Sequence, residues 1–154
     1  MKTMKTLSTC QKQFIWQNIL ILILLLSFIG LLIYVIVTQV SEYYQQTDPV
    51  LLRIREHLRP LHPKVDGLKF YEGTKSYTIN KKKVYLCLKD EHKNYYNFNM
   101  LIYVAIHELA HVLCDEIGHT PKFHIIFKQL LEKAEALGLY DSSIPIIKNY
   151  CGHT

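Results

Sequence analysis

No aspartate or glutamate occurs in the first 41 residues of this 154-residue chain, although thirteen acids lie beyond them. Basic residues are nearly as scarce there, limited to Lys2, Lys5 and Lys12. From Ile19 to Val37 there is no charge at all, and the run ILILILLLSFIGLLIYVIV lacks the polar stripe of a helix that rests on a soluble core. An α-helix rises about 1.5 Å per residue, so roughly 20 apolar residues cross a hydrocarbon layer about 30 Å thick. Residues 19–40 are therefore expected to form one transmembrane helix, preceded by a basic tail over 1–18. A cleaved signal peptide fits less well. Its apolar core spans about 7–15 residues and ends at small residues, whereas this run is longer and Thr38-Gln39-Val40-Ser41-Glu42 follows it. The three lysines ahead of the helix, against Glu42 and Asp48 behind it, put the tail in the cytoplasm and the main domain on the non-cytoplasmic side.

Cysteine is sparse as well, and its four residues include no CxxC pair, which argues against a cysteine-only zinc site. Cys10 precedes the membrane run and is separated by it from Cys87, Cys114 and Cys151. Those three allow at most one internal disulfide, and buried free thiols are the expectation. A concentrated basic patch is also missing. Of the net charge of +5, the tail contributes +3, and the rest of the chain is close to neutral, with fifteen basic residues against thirteen acids. A nucleic-acid surface normally gathers its charge on one face, so nucleic acid is not an expected partner. The one local run, Lys81-Lys82-Lys83, reads as a solvated hairpin turn, with contact to phosphates or lipid headgroups as the alternative. Internal repeats and low-complexity tracts are not apparent outside the membrane run, and nothing indicates an oligomeric state.

Beyond the apolar run, residues 41–49 are polar and read as a stalk, and 50–154 as one domain. Asp48 can cap a helix that starts at Pro49 and stops before Pro60, with Leu51, Leu52, Ile54 and Leu58 on its apolar side. Pro63 and Asp66-Gly67 mark a loop. Leu68–Tyr71 reads as a short strand. Ser76–Ile79 and Val84–Leu88 read as an antiparallel hairpin turning at Asn80–Lys83. A helix capped by Asn97 or Asn99 is expected from Met100 to Cys114 or Glu116, stopped by Gly118. Thr120-Pro121 opens another, with Phe123, Phe127, Leu130, Ala134 and Leu137 on its core face and Gly138 at its end. The structure of the stretch from Tyr140 is not legible from its pattern. The order defines an α+β domain with a small antiparallel sheet.

The chemistry is concentrated in His107-Glu108-Leu109-Ala110-His111, an HExxH pattern inside the second of these helices. Residues four apart share a helix face one turn apart, so two imidazoles there can bind one Zn²⁺ at about 2.0–2.1 Å. Glu108 follows the first of them and can reach a water on the metal, taking its proton and passing it to a leaving amine. Such chemistry needs a cleft, which the hairpin can flank. A catalytic zinc site has three protein ligands and one open position. His119 is the best third ligand, because it lies between the Gly118 stop and the Thr120-Pro121 start, where the chain must fold back.

The segment His107–His111, followed by Gly118-His119-Thr120-Pro121-Lys122-Phe123, resembles the WLM and SprT families of zinc peptidases. In these families a helical HExxH is followed by a histidine one step before a new helix, and a phenylalanine a few residues on packs that helix. The resemblance covers Asn97 to Leu137. It extends to small membrane-anchored peptidase-like proteins of large DNA viruses. It implies a zincin-like fold, Zn²⁺ held by His107, His111 and His119, Glu108 as general base and acid, and a protein or peptide substrate. The metzincin pattern is not met, since it requires glycine where Cys114 stands and histidine where Ile117 stands. Tyr140 and Tyr150 are candidate transition-state stabilisers. His124 is a rival third ligand, and Glu132 or Glu135 would make the site gluzincin-like. Asp115 is a candidate for orienting an imidazole. His57, His62, His92 and His153 read as surface residues. Two other functions fit parts of the sequence: a catalytically silent membrane-anchored zinc-binding or structural protein, and a nucleic-acid-associated protease.

Overall fold

The computed structural model describes residues 9–46 and 48–152, in two units that meet in sequence at Ser41 and Glu42. Lys2, Lys5 and His153 lie outside the described residues. The described residues of the first unit are all helical and belong to α1 (Thr9–Gln46), whose last residues fall in the second unit. Its stretch from Gln11 to Tyr44 is long and apolar enough to cross a membrane, with a mean hydropathy of 3.2 and none of its apolar window buried. The hydroxyls of Ser27 and Thr38 do not oppose that environment. Ser27 Oγ donates to the Leu24 carbonyl and Thr38 Oγ1 to the Val35 carbonyl, both at 2.8 Å, so neither needs water. The helix runs beyond the expected 19–40 in both directions. The stalk expected at 41–49 is helical as far as Gln46, because no proline or glycine interrupts the ladder before Pro49.

In the second unit, α2 (Pro49–Leu58) starts where the cap pattern requires. The Asp48 carboxylate accepts from Val50 N–H at 2.8 Å, and Leu51, Ile54 and Leu58 are buried along one stripe. A 3₁₀ turn over Pro63–Gly67 leads into β1 (Lys69–Glu72), followed by β2 (Tyr77–Ile79) and β3 (Lys83–Leu86). Next come α3 (Phe98–Leu113) and α4 (Pro121–Ala136). The order is the expected one, and the domain is α+β.

The sheet is mixed rather than antiparallel, which corrects the sequence-based expectation. Its strand order is β1-β3-β2, with β3 parallel to β1 and antiparallel to β2. The pattern of residues specifies the hairpin but not which of its strands meets β1. The link Gly73–Ser76 carries the chain past β1, and the hairpin folds back with β3 in the middle. Gly73 is required in that link, since a Cβ there would stand 2.9 Å from the Lys75 carbonyl oxygen. Bonded on both sides, β3 buries Val84 and Leu86, whereas β2 remains at the edge with alternating exposure. Asn80 and Lys81 make the turn at φ 50° and 54°.

The core forms around α3, whose Leu101, Ile102, Ala105, Ile106 and Leu109 are at most 1% exposed. Its sides meet α2, α4, β2 and β3. Asn97 is its cap, accepting from Asn99 N–H at 2.8 Å. It ends at Leu113, short of Gly118, because Cys114 is already extended at φ −70° and ψ 129°. Gly118 instead turns the following loop at φ 85°.

Cysteine pairing also differs from expectation. Cys87 and Cys151, 64 residues apart, form a disulfide, and only Cys114 is a buried free thiol among the described residues.

Candidate metal centre

His107 and His111 project from the last turns of α3, and His119 reaches them from the loop ahead of α4. The cap of α4 sets that loop's exit, with Thr120 Oγ1 accepting from Phe123 N–H at 3.3 Å. The three Nε2 atoms converge. His107–His111 is 3.2 Å, His111–His119 is 3.1 Å and His119–His107 is 3.0 Å.

A neutral imidazole nitrogen is either a donor or an acceptor, never both. Three of them in mutual contact therefore include at least one pair that sets proton against proton or lone pair against lone pair. A cation that accepts all three lone pairs removes the conflict. Tetrahedral zinc at about 2.0–2.1 Å holds its nitrogens about 3.3–3.4 Å apart. The observed triangle is a few tenths of an ångström tighter, and the donor set fits the ion.

Phe123 supports the triangle from below. It is fully buried, and its ring centroid lies 4.3 Å from His111, 4.8 Å from His119 and 4.9 Å from His107. Phe127 closes the side of His107 at 5.2 Å. This apolar wall resists protonation of the His107 and His111 rings. Burial first, then the neighbouring His111, His119 and His124, lowers the pKa of His107 to about 4. Burial and His119 lower that of His111 as well.

Glu108 lies on the adjacent face of α3 and is 4% exposed. Burial raises its pKa to about 7, opposed by a hydrogen bond from Thr78. Thr78 Oγ1 donates to Glu108 Oε2 at 2.8 Å, with the Glu108 carbonyl 3.3 Å away as a second acceptor. The site opens to a cleft of about 450 Å³ between β2 and the 114–120 loop, whose lining includes Thr78, Lys81, Glu108 and the exposed Ile117.

Of the rival ligands, His124 is exposed with its ring centroid 6.3 Å from that of His119, outside the triangle. Glu132 pairs with Lys128 at 3.8 Å, and Glu135 accepts from Ser142. Asp115 orients no imidazole, because its carboxylate is taken up by Lys122 at 2.6 Å. Tyr140 is buried near Tyr103, while Tyr150 bonds with Ser76, beside β2. His57 and His62 are half-buried rather than on the surface. His57 packs on Phe98, and His62 caps the 3₁₀ turn by accepting from Lys64 N–H. Thr78 is the contact to the candidate site that the sequence pattern does not single out. Its signal is a threonine at the inward register of the edge strand.

The chain is similar to proteins of two invertebrate iridescent viruses and a mimivirus. It is 59% identical over 87 residues to Uncharacterized protein 136R of Invertebrate iridescent virus 6, covering 54% of this chain and 49% of that protein. Identity to Uncharacterized protein 042R of Invertebrate iridescent virus 3 is 49% over 98 residues, covering 60% of this chain and 62% of the relative. For Uncharacterized protein R325 of Acanthamoeba polyphaga mimivirus the figures are 28% over 107 residues, 65% and 54%. The chain thus spans from about half to about three fifths of the length of these curated relatives. No family model matches the chain, and no solved structure matches it.

Proposed function

We propose that this chain is a membrane-anchored, zincin-like metallopeptidase that hydrolyses peptide bonds, with His107, His111 and His119 as ligands of Zn²⁺. The observation that carries the reading is the triangle of imidazole nitrogens beside a buried carboxylate of the same helix, facing one cleft. Imidazole donors suit zinc, and three of them leave the open position of a catalytic site. Zinc bound there supplies Lewis acidity, lowering the pKa of water and polarising a substrate carbonyl.

The remaining work belongs to the chain. Phe123 and Phe127 fix the rings, and burial keeps those of His107 and His111 unprotonated near neutral pH. Glu108 accepts a proton from the attacking water and returns it to the leaving amine. Thr78 aims the carboxylate. The placement of Glu108, buried, held by Thr78 and facing the same cleft as the three imidazoles, favours turnover over a silent zinc site, because a structural site has no use for a buried carboxylate beside its ligands. The disulfide in the main domain supports the non-cytoplasmic side, where such bonds persist. The substrate is a protein or peptide near the membrane. The decisive experiment measures zinc content and peptide hydrolysis of the full chain in detergent, beside Glu108→Gln. Zinc at one equivalent, with hydrolysis lost only in the variant, supports the reading, and a chain that binds no zinc overturns it.

A further inference from the structure

The C-terminal turn bears on the wall of this site. Cys151 sits at φ 53° and ψ 36°, a left-handed conformation that is unfavourable for a non-glycine residue and persists only when held. Three contacts hold the turn. Its sulfur is bonded to Cys87, Cys151 N–H donates to the Tyr96 hydroxyl at 3.0 Å, and the Tyr150 ring packs on Tyr96 at 4.8 Å. The Tyr150 hydroxyl then donates to the Cys87 carbonyl. Ser76 Oγ stands 3.2 Å from that hydroxyl and accepts from Cys87 N–H at 3.0 Å.

Ser76 immediately precedes β2 and shares a face with Thr78, two residues on. Both are half-buried, while Tyr77 and Ile79 point outward. The hydrogen bonds therefore run from the disulfide through Tyr150 and Ser76 to the strand whose Thr78 holds Glu108. Burial, with a contribution from the Glu108 charge, raises the Tyr150 pKa to about 12, so its hydroxyl stays protonated and able to donate.

We propose that the Cys87–Cys151 disulfide is a redox latch that, when closed, holds Tyr150 on Ser76 and so fixes β2 against Glu108. Tyr150 is then a positioning residue, and the proposal rests on the hydrolytic reading of the same site. The reductant is a dithiol. Both cysteines line an open cleft of about 870 Å³, and Cys151 is part-exposed while Cys87 is 5% exposed. A thiolate of the dithiol attacks Cys151 Sγ and the Cys87 sulfur leaves. The second thiolate then displaces Cys151 and closes a cyclic disulfide. Two electrons pass to the protein, and the two cysteine sulfurs take up two protons.

The test is hydrogen–deuterium exchange on the zinc-loaded full chain in detergent micelles. The probe reductant is a water-soluble trialkylphosphine, because dithiols also bind zinc. The phosphine becomes its oxide, with the oxygen supplied by water. Reduction is expected to accelerate exchange of the amides at 76–79 by about tenfold or more while those of α3 and the zinc content hold. Oxidised Tyr150→Phe keeps the ring on Tyr96 and should show the same local acceleration with the disulfide intact. Unchanged exchange at 76–79 in either case overturns the latch. So does acceleration throughout the domain on reduction, which marks a general staple. Hydrolysis run in parallel separates the two proposals. A fall in kcat on reduction with KM held supports the latch. A chain that cleaves nothing in either state fails as a peptidase, and the exchange result still decides whether the bridge positions β2.

Discussion

Thr78 on the edge strand and Glu108 on the central helix are thirty residues apart and joined by a 2.8 Å hydrogen bond. The hydroxyl donates to the carboxylate, so it favours the charged form and lowers a pKa that burial raises. Thr78→Val keeps the shape and removes the donor. The Glu108 pKa then rises further, and the acid limb of kcat/KM should move up by about one pH unit. Activity falls by up to about tenfold along the acid limb and converges with the parent at high pH. A profile scaled down equally at every pH contradicts this role.

Glu108→Gln retains size and removes the base. Hydrolysis should fall by about 10² or more, while zinc should remain at parental stoichiometry, since its proposed ligands are three imidazoles and not this carboxylate. Parental turnover in the purified variant means that another group activates the water.

His119→Ala should lower zinc occupancy far more than His124→Ala, because only His119 completes the triangle. Glu132→Ala and Glu135→Ala, whose carboxylates contact Lys128 and Ser142, should keep their metal. Metal content after equal dialysis at neutral pH ranks the four variants, and zinc loss in either glutamate variant reverses the assignment.

Much of this site is legible in the sequence because its determinants are local. His107 and His111 share a face through helix periodicity alone. Asp48-Pro49 and Thr120-Pro121 carry their caps in adjacent residues, and the reversal between Gly118 and Thr120 brings His119 round. What escaped depends on distant pairing. Neither the choice of β3 over β2 as the partner of β1 nor the meeting of Cys87 with Cys151 across 64 residues leaves a periodic trace. Cys114, extended where the helix was expected to continue, shows how a loop's tertiary demands override a stop signal four residues on.

In the metal-free protein, His107 and Glu108 should oppose each other in acid. His107 has a folded pKa of about 4 against 6.5 unfolded. Between those values the unfolded chain binds a proton that the native state refuses, so this group makes stability fall as pH drops. Glu108 has a folded pKa of about 7 against 4.5 unfolded. The native state keeps its proton in that window and the unfolded chain does not, so stability rises as pH drops from 7 towards 4.5. The two slopes largely cancel between about pH 4.5 and 6.5. Glu108→Gln removes one of them. After discounting for partial solvent access, the metal-free variant should lose about 1–2 kcal/mol between pH 6.5 and 4.5 relative to the parent. At pH 8, where the parent carries a buried charge, the variant should be the more stable. Urea denaturation of both proteins in non-ionic detergent at pH 5 and pH 8 checks the crossing, and parallel curves at the two values contradict it.

Phe123 is the residue on which the proposed metal site and the core depend together. Its ring is fully buried and touches all three imidazoles. Phe123→Ala should cost about 3–5 kcal/mol through the cavity it leaves, which threatens the fold and says little about the metal. Phe123→Leu separates the two effects. Leucine fills most of the volume, so the loss of stability should be smaller, but it offers no flat surface for His111 to stack on. Ring placement then loosens, and misplacing ligands is costly where packing fixes their orientation. Phe123→Leu is therefore expected to weaken zinc binding by about tenfold or more in a folded protein. Phe127→Leu, whose ring reaches only His107, should weaken it less. Competition with a chromogenic chelator, with circular dichroism confirming the fold, measures both. Equal zinc affinity in the parent and Phe123→Leu reduces this residue to core packing alone.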